Sequence, residues 1–430
     1  MTTEELLARH RAVLPNWINP LYAEPIELVS GTGCRVTDAD GRTYLDFFGG
    51  VLTTMIGYDI PEISDAVRRQ LDRGIAHSST LYLIRKQVEL AEKIAKVSGI
   101  PNPKVFLANS GTEANDTALL LATQFRRSNQ ILAMRNSYHG RSFAALGVTG
   151  QRSWSATSLS PVNVSYLHSG DRLRGVFAGL PDAEYIRRAV ADLREVLATT
   201  TAGDVACLIA EPIQGVGGFV APPDGYFAAV KEVLDEYGIL WVSDEVQTGW
   251  GRTGEHFWGY QAHDAVPDML TFAKGVGNGF ALGGVVARAE VMDCLGAISF
   301  NTFGGNPVSA SAGSAVLDYV LDHDLQANAA RLGDLLHAGL RGLHSPIVAE
   351  VRGKGLMLAL EFVRPGTLDP APELALRVLE ETKANGLLVG KGGLYGNVIR
   401  MGPPLTLSEA EAKEGLDILA GAIAAAQRQA

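Results

Sequence analysis

From Lys104 onward, short apolar runs alternate with amphipathic stretches, and this alternation limits the fold more than any other feature of the chain. Lys104–Leu107, Ile131–Met134, Ala206–Ala210, the run from Ile239 into Asp244, the run from Met269 into Lys274, and Gly283–Ala287 all have strand length and apolar content. Between them, Thr112–Gln124, Ala183–Leu197 and Tyr226–Tyr237 carry apolar residues at helical spacing, and Gly238 supplies the stop for the last. Such an order builds an α/β fold with a mostly parallel sheet covered by helices. Residues 150–180 read as loop.

The flanks have a different character. Residues 1–30 hold a short helical pattern and then Pro15, Pro20 and Pro25; Cys34–Phe48 reads as a hairpin turning at Asp38–Gly41. Pro61–Arg73 and Ile84–Val97 are amphipathic helices. After Pro307 a long helical stretch runs through Val320, breaks around His323 and is followed by another at Leu332–Leu343. Ile347–Val363 and Leu387–Arg400 are strand-rich, and Glu409–Gln429 is a closing helix. The expected division is an N-terminal segment, 1–60, that joins a small α+β domain at 316–430, with a large domain at 61–315 between them.

Composition excludes several function classes. A formal net charge of −10 argues against nucleic acid or an anionic membrane as partner. No run of about 18 apolar residues is present to span a membrane. The first residues carry acids and no apolar core, so no signal or transit peptide is expected. Three widely spaced cysteines, Cys34, Cys207 and Cys294, fit reduced thiols in a cytoplasmic protein. No second His or Cys falls at ligand spacing from His139, and His256 and His263 are too far apart for a helical pair, so no metal site is expected.

The chemistry is concentrated where strands end. In an open parallel sheet, ligands bind beyond the carboxyl ends of the strands. Glu211, Asp244 and Lys274 each follow an apolar run, so the three would share one edge. A lysine amine and a carboxylate at such an edge suit pyridoxal phosphate, which takes a Schiff base from the lysine and needs a carboxylate beside its ring nitrogen. Ser110-Gly111-Thr112 opens a helix after a strand, either as a plain cap or as a phosphate cradle. Tyr138 follows a strand and is placed to stack on a planar ring, although a tyrosine there is more often core. The glycine-rich Gly215–Gly218 and Gly275–Gly279 stretches do not make the dinucleotide pattern, and no P-loop occurs.

In combination, Ser110–Ala114, Tyr138–Gly140, Glu211–Gln214, Asp244–Gly249, Lys274 and Thr302–Pro307 resemble the class III pyridoxal-phosphate aminotransferases of fold type I. His256–Gln261, Phe300–Pro307, Val351–Met357 and Gly386–Gly390 are most similar to the alanine–glyoxylate aminotransferase 2 branch, and ethanolamine-phosphate phospho-lyases share several of these stretches. The resemblance implies that Lys274 holds the cofactor as a Schiff base and then moves the substrate proton. It implies that Asp244 pairs with the ring nitrogen, Gln247 approaches the ring hydroxyl, and Val246 and Tyr138 cover the two ring faces. Ser110, Gly111 and Thr112 would take the phosphate, with Thr302 of a second subunit in a homodimer, while Glu211 holds the polar network. Arg400 is similar to the arginine that fixes the substrate carboxylate. The activity implied is transamination between an amino acid or amine and a small 2-oxo acid. The alternatives are phosphate elimination from an amino phosphate, or a non-catalytic protein that kept the fold. Two residues depart from the pattern: Val216 stands where the ornithine branch has an acid facing the arginine, and Tyr58 where relatives have histidine. The first favours glyoxylate or pyruvate over 2-oxoglutarate.

Overall fold

The computed structural model describes residues 2–430. At its centre is a sheet of seven strands: β1 (Pro103–Ala108), β2 (Gln130–Met134), β3 (Asn163–Leu167), β4 (Cys207–Ala210), β5 (Leu240–Asp244), β6 (Met269–Phe272) and β7 (Gly283–Arg288). Across the sheet the order is β1-β7-β6-β5-β4-β2-β3. Only β7 runs against its neighbours, pairing antiparallel with β1 and β6, so the other strands all point the same way. The expected mostly parallel α/β sheet is present.

Both faces of this sheet are dry, which is why its strands are continuous apolar runs. Successive side chains point to opposite faces. Ile131, Ala133, Cys207, Ile209, Leu240 and Val242 therefore pack on one side with Ala114, Ala118, Leu119 and Ala122 of the helix Gly111–Arg126. Leu132, Met134, Leu208, Ala210 and Trp241 pack on the other with Tyr226, Phe227 and Val230 of the helix Tyr226–Glu236.

The stretch 150–180 is the main departure from expectation, because it contains the edge strand β3. Paired on one side only, β3 has just Leu167 buried, and its polar, half-covered residues lack the apolar signal of the inner strands. The helix Pro372–Ala384 also goes beyond the sequence reading; it starts with proline and buries Leu374, Ala375, Val378 and Leu379 at helical spacing.

The two chain ends meet. Arg35–Asp38 and Thr43–Asp46 form the expected hairpin, with the Asp38 carboxylate accepting from the Asp40 and Arg42 N–H groups at 3.0 and 2.9 Å. Thr43–Asp46 then pairs in parallel with Leu387–Leu388. A separate antiparallel sheet is built from Val348–Lys354, Met357–Phe362, Val398–Met401 and Gly390–Gly392. Tyr58 has a structural answer here: its hydroxyl donates to Asp46 Oδ2 at 2.6 Å, and its ring lies where a Cβ on Gly31 would be 2.7 Å away. The Asp46 Oδ1 atom accepts from the Phe48 and Gly49 N–H groups, so one carboxylate holds the tyrosine and the turn after the hairpin.

Candidate active site

Because β4, β5 and β6 are adjacent and parallel, their carboxyl ends deliver Glu211, Asp244 and Lys274 to one edge, as the apolar runs require. Ser110, after β1, and Tyr138, after β2, arrive at the same edge. Together with Gly111, Thr112, Val246 and Gln247 these residues line one cavity of about 220 Å³. Nine sequence-selected residues thus converge. Asn115, His139, Gly140 and Arg141 also line it, and none of these four had been assigned a role there from sequence.

Asp244 is held at both of its oxygens. Its Oδ2 lies 2.7 Å from His139 Nδ1 and 2.8 Å from Asn115 Nδ2, and its Oδ1 accepts from the Val246 N–H at 3.1 Å. A carboxylate only accepts, so Nδ1 of His139 carries the hydrogen. Asn115 is itself oriented, accepting from Thr271 Oγ1 at 2.7 Å and donating to the His139 carbonyl at 2.7 Å. The signal for Asn115 was a buried amide beside Ala114, Ala118 and Leu119 on an otherwise apolar helix face.

Lys274 sits two residues beyond β6 with φ of +50°, a left-handed conformation that non-glycine residues seldom adopt and that concentrates at functional sites. Its amine makes no hydrogen bond among the described residues. Burial pushes its pKa below the usual lysine value, while the nearby carboxylates of Asp244 and Glu211 pull it up. Glu211 accepts from the Tyr138 and Gly215 N–H groups at 3.0 and 2.8 Å, and burial raises its pKa to about 7.

The helix Gly111–Arg126 aims its N-terminus into the cavity, and its first N–H groups have no acceptor within the helix. Gly111 leaves room there: a Cβ would lie 3.2 Å from both methyls of Val246. Thr112 Oγ1 accepts from the Arg141 and Ser142 N–H groups at 3.1 and 3.2 Å, which draws the loop after Tyr138 against the helix. Gly140 is required by that approach, with φ of +136° and a would-be Cβ 2.4 Å from the same hydroxyl. Gln247 Oε1 is buried without a partner, and so is His139 Nε2.

The cavity therefore offers an unpaired amine, a fixed carboxylate, a helix N-terminus open to an anion, an orphaned amide oxygen and the Tyr138 ring. That donor set fits a flat, phosphate-bearing aldehyde such as pyridoxal phosphate. Two sequence-selected residues lie outside it. Thr302 is exposed, in a loop tied by Asn301 to Asn109 and Glu113. Arg400 is buried on Val398–Met401; its Nη1 donates to the Gly215 carbonyl at 3.0 Å, and Nε and Nη2 donate to the Lys391 carbonyl at 3.3 and 3.1 Å. Its charge is felt at Lys274 and Glu211.

Comparison with known proteins agrees with this architecture. The aminotransferase class-III family model matches residues 20–423. A mitochondrial alanine–glyoxylate aminotransferase 2 homologue of Arabidopsis thaliana is 39% identical over 415 residues, covering 96% of this chain and 85% of the relative. Among solved structures, a thermostable (S)-enantioselective omega-transaminase from Thermomicrobium roseum superposes with a TM-score of 0.90 at 34% identity, covering 100% and 99% of the two chains. A phospholyase from Arthrobacter, solved with phosphoethanolamine, gives 0.89 at 34% identity, covering 97% and 99%. With family match, fold and cavity in agreement, the chain belongs to the class III aminotransferases, enzymes that depend on pyridoxal phosphate.

Proposed function

We infer that this enzyme moves an amino group between an amino acid or amine and a small 2-oxo acid, with glyoxylate or pyruvate preferred over 2-oxoglutarate. The observation that carries the acceptor preference is the setting of Arg400. It is held by two main-chain carbonyls, and Val216 brings no carboxylate to it. An arginine without a switchable acidic partner keeps its charge available for every substrate carboxylate and has no means of adapting to a second, distal one. Half-reaction rates with glyoxylate, pyruvate and 2-oxoglutarate test this, and a strong 2-oxoglutarate preference overturns it.

When bound, pyridoxal phosphate supplies an electron sink for the bond broken at the substrate carbon. Lys274 anchors the cofactor, and its amine, depressed by burial, then carries the proton. Asp244, held by His139 and Asn115, would set its negative charge beside the ring nitrogen and favour a proton there. Gln247 would meet the ring hydroxyl, Tyr138 and Val246 would cover the ring, and Ser110, Gly111 and Thr112 would hold the phosphate. Glu211 holds the loops after β2 and β4 together through its two N–H donors. Arg400 takes the substrate carboxylate.

We also infer a homodimer in which Thr302 reaches the partner's cofactor phosphate. Leu83 and Ile298 are 99% and 93% exposed, and Leu81, Tyr82, Phe300 and Phe303 are exposed as well, apolar side chains that a partner subunit could cover. Sedimentation at micromolar concentration tests this, and a monomer overturns it. The domain division at residues 60 and 315 is supported by the parallel pairing of the N-terminal hairpin with Leu387–Leu388. A cytoplasmic location is supported by three unpaired cysteines, and no described helix is long and apolar enough to cross a membrane. The likeness to the Arthrobacter phospholyase supports a second reading, elimination of phosphate from an amino phosphate. Phosphate release without a keto acid would establish it.

A further inference from the structure

Arg352 lies on Val348–Lys354, outside the cavity, and the reaction as proposed gives it no role. Its guanidinium is nevertheless held on two sides. Nη1 bridges Glu350 Oε2 and Glu361 Oε2, each at 2.6 Å, and Nε donates to the Gly218 carbonyl at 2.7 Å. Glu361, 3% exposed, is bonded in turn to Arg174 and to Asn397. Apart from Arg174 Nη2, which is buried without a partner, this network is satisfied, and its cost of burial is offset only while its members stay in place.

The acceptor of the Nε bond belongs to an unusual turn. Gly218 donates to the Gly215 carbonyl at 3.1 Å and Phe219 to the Gln214 carbonyl at 2.9 Å, with φ of +100° at Gly218 and +57° at Phe219. A phenylalanine in the left-handed region is strained and persists only where its surroundings hold it. Here they do so on three sides. Arg352 takes the Gly218 carbonyl, Gly393 donates to the Val216 carbonyl at 3.0 Å, and Asn136 donates to the Gly217 carbonyl at 3.1 Å. There is no spare room, since a Cβ on Gly218 would lie 3.0 Å from Arg352 Nη2 and 3.2 Å from Gly393 Cα.

This same turn presents two groups to Arg400. The Gly215 carbonyl accepts from Nη1, and the Phe219 ring centroid lies 5.6 Å from the guanidinium carbon, as does that of Phe48. We propose that Arg352 is a positioning residue for the substrate-carboxylate site: by clamping the Gly218 carbonyl it fixes the strained Gly215–Phe219 turn, and through that turn the aim of Arg400. The proposal rests on the carboxylate role given to Arg400 above.

The test uses purified holoenzyme and three readouts: the KM and kcat for pyruvate, the calorimetric affinity for propionate as a non-reacting carboxylate, and the affinity for pyridoxal phosphate. Arg352→Met is expected to raise the pyruvate KM and weaken propionate by about 10-fold while kcat and cofactor affinity change far less. Arg352→Lys, which keeps one charged donor, should recover part of the loss. A folded Arg352→Met enzyme with unchanged propionate affinity overturns the proposal, and so does an equal loss of cofactor affinity, which would mark a general structural role. Should Arg352→Met fail to fold, Gly218→Ala loads the same turn and decides by the same readouts. Arg400→Lys separates the two readings. If it leaves propionate binding intact, the role of Arg400 falls and takes this proposal with it; if it weakens propionate while Arg352→Met does not, only the clamp falls.

Discussion

Asp244 and Arg400 are each 4% exposed, yet their charges are compensated in opposite ways. Asp244 is met by side chains and an N–H of its own surroundings, with His139, Asn115 and Val246 all donating to it. Arg400 meets no carboxylate; carbonyls of Gly215 and Lys391 and the rings of Phe48 and Phe219 are its neighbours, and burial pushes its pKa down to about 10. Of the five N–H donors on a guanidinium, three are used here. A carboxylate whose donors are all internal is a fixed charge, suited to a permanent cofactor. A guanidinium with spare donors and no carboxylate bonded to it, only Glu211 acting on it through space, suits the proposed role of receiving an anion that comes and goes.

That contrast can be broken at several points, beginning with the residue that faces both groups. Lys274→Ala should remove turnover by about 10⁴-fold or more and abolish the visible absorption of the bound cofactor; a yellow, active variant would end the assignment. Asp244→Asn is expected next, about 10²- to 10³-fold, because the fixed negative charge is lost and the amide can keep its oxygen toward His139 and Asn115 only by turning its NH2 against the Val246 N–H. Its loss should fall alike on every amino donor and acceptor in steady-state kinetics. Arg400→Lys should instead be selective. About 10- to 100-fold in KM is expected for carboxylate-bearing substrates, since the fork is replaced by a single point donor. Equal sensitivity of substrates without a carboxylate would erase the distinction drawn between the two charges.

The smallest effect concerns Glu211, whose pKa is raised by burial from 4.5 to about 7. A raised carboxyl favours its protonated form in the folded state, so its contribution is complete below about 4.5 and is lost as pH climbs through about 7. Glu211→Gln should remove that dependence. Thermal melts of the cofactor-free protein from pH 5 to 8 should show the wild type losing stability relative to the variant over this window. Parallel melting curves would show that the carboxyl does not titrate there.

The edge of the sheet that carries Glu211, Asp244 and Lys274 was legible because each residue closes a run of apolar residues buried on both faces, and parallel pairing does the rest. Ser110–Thr112 and Tyr138 were legible for the same reason. Asn115 and His139 were not, because what recruits them is a carboxylate 129 and 105 residues away in the chain. β3 was missed because an edge strand can leave one side polar, and the helix Pro372–Ala384 because neighbouring strand-rich stretches masked its spacing.

The alternating fold, and the edge to which Glu211, Asp244 and Lys274 are delivered, could be read from the residues alone, since local periodicity and strand polarity suffice for these. Only the tertiary structure decided how Arg400 is seated. Its carbonyl partners at Gly215 and Lys391 are main-chain atoms with no residue type to announce them, and the Arg352–Gly218 bond spans 134 positions. Backbone acceptors are the same at every residue, so which of them faces a given guanidinium is settled by packing alone.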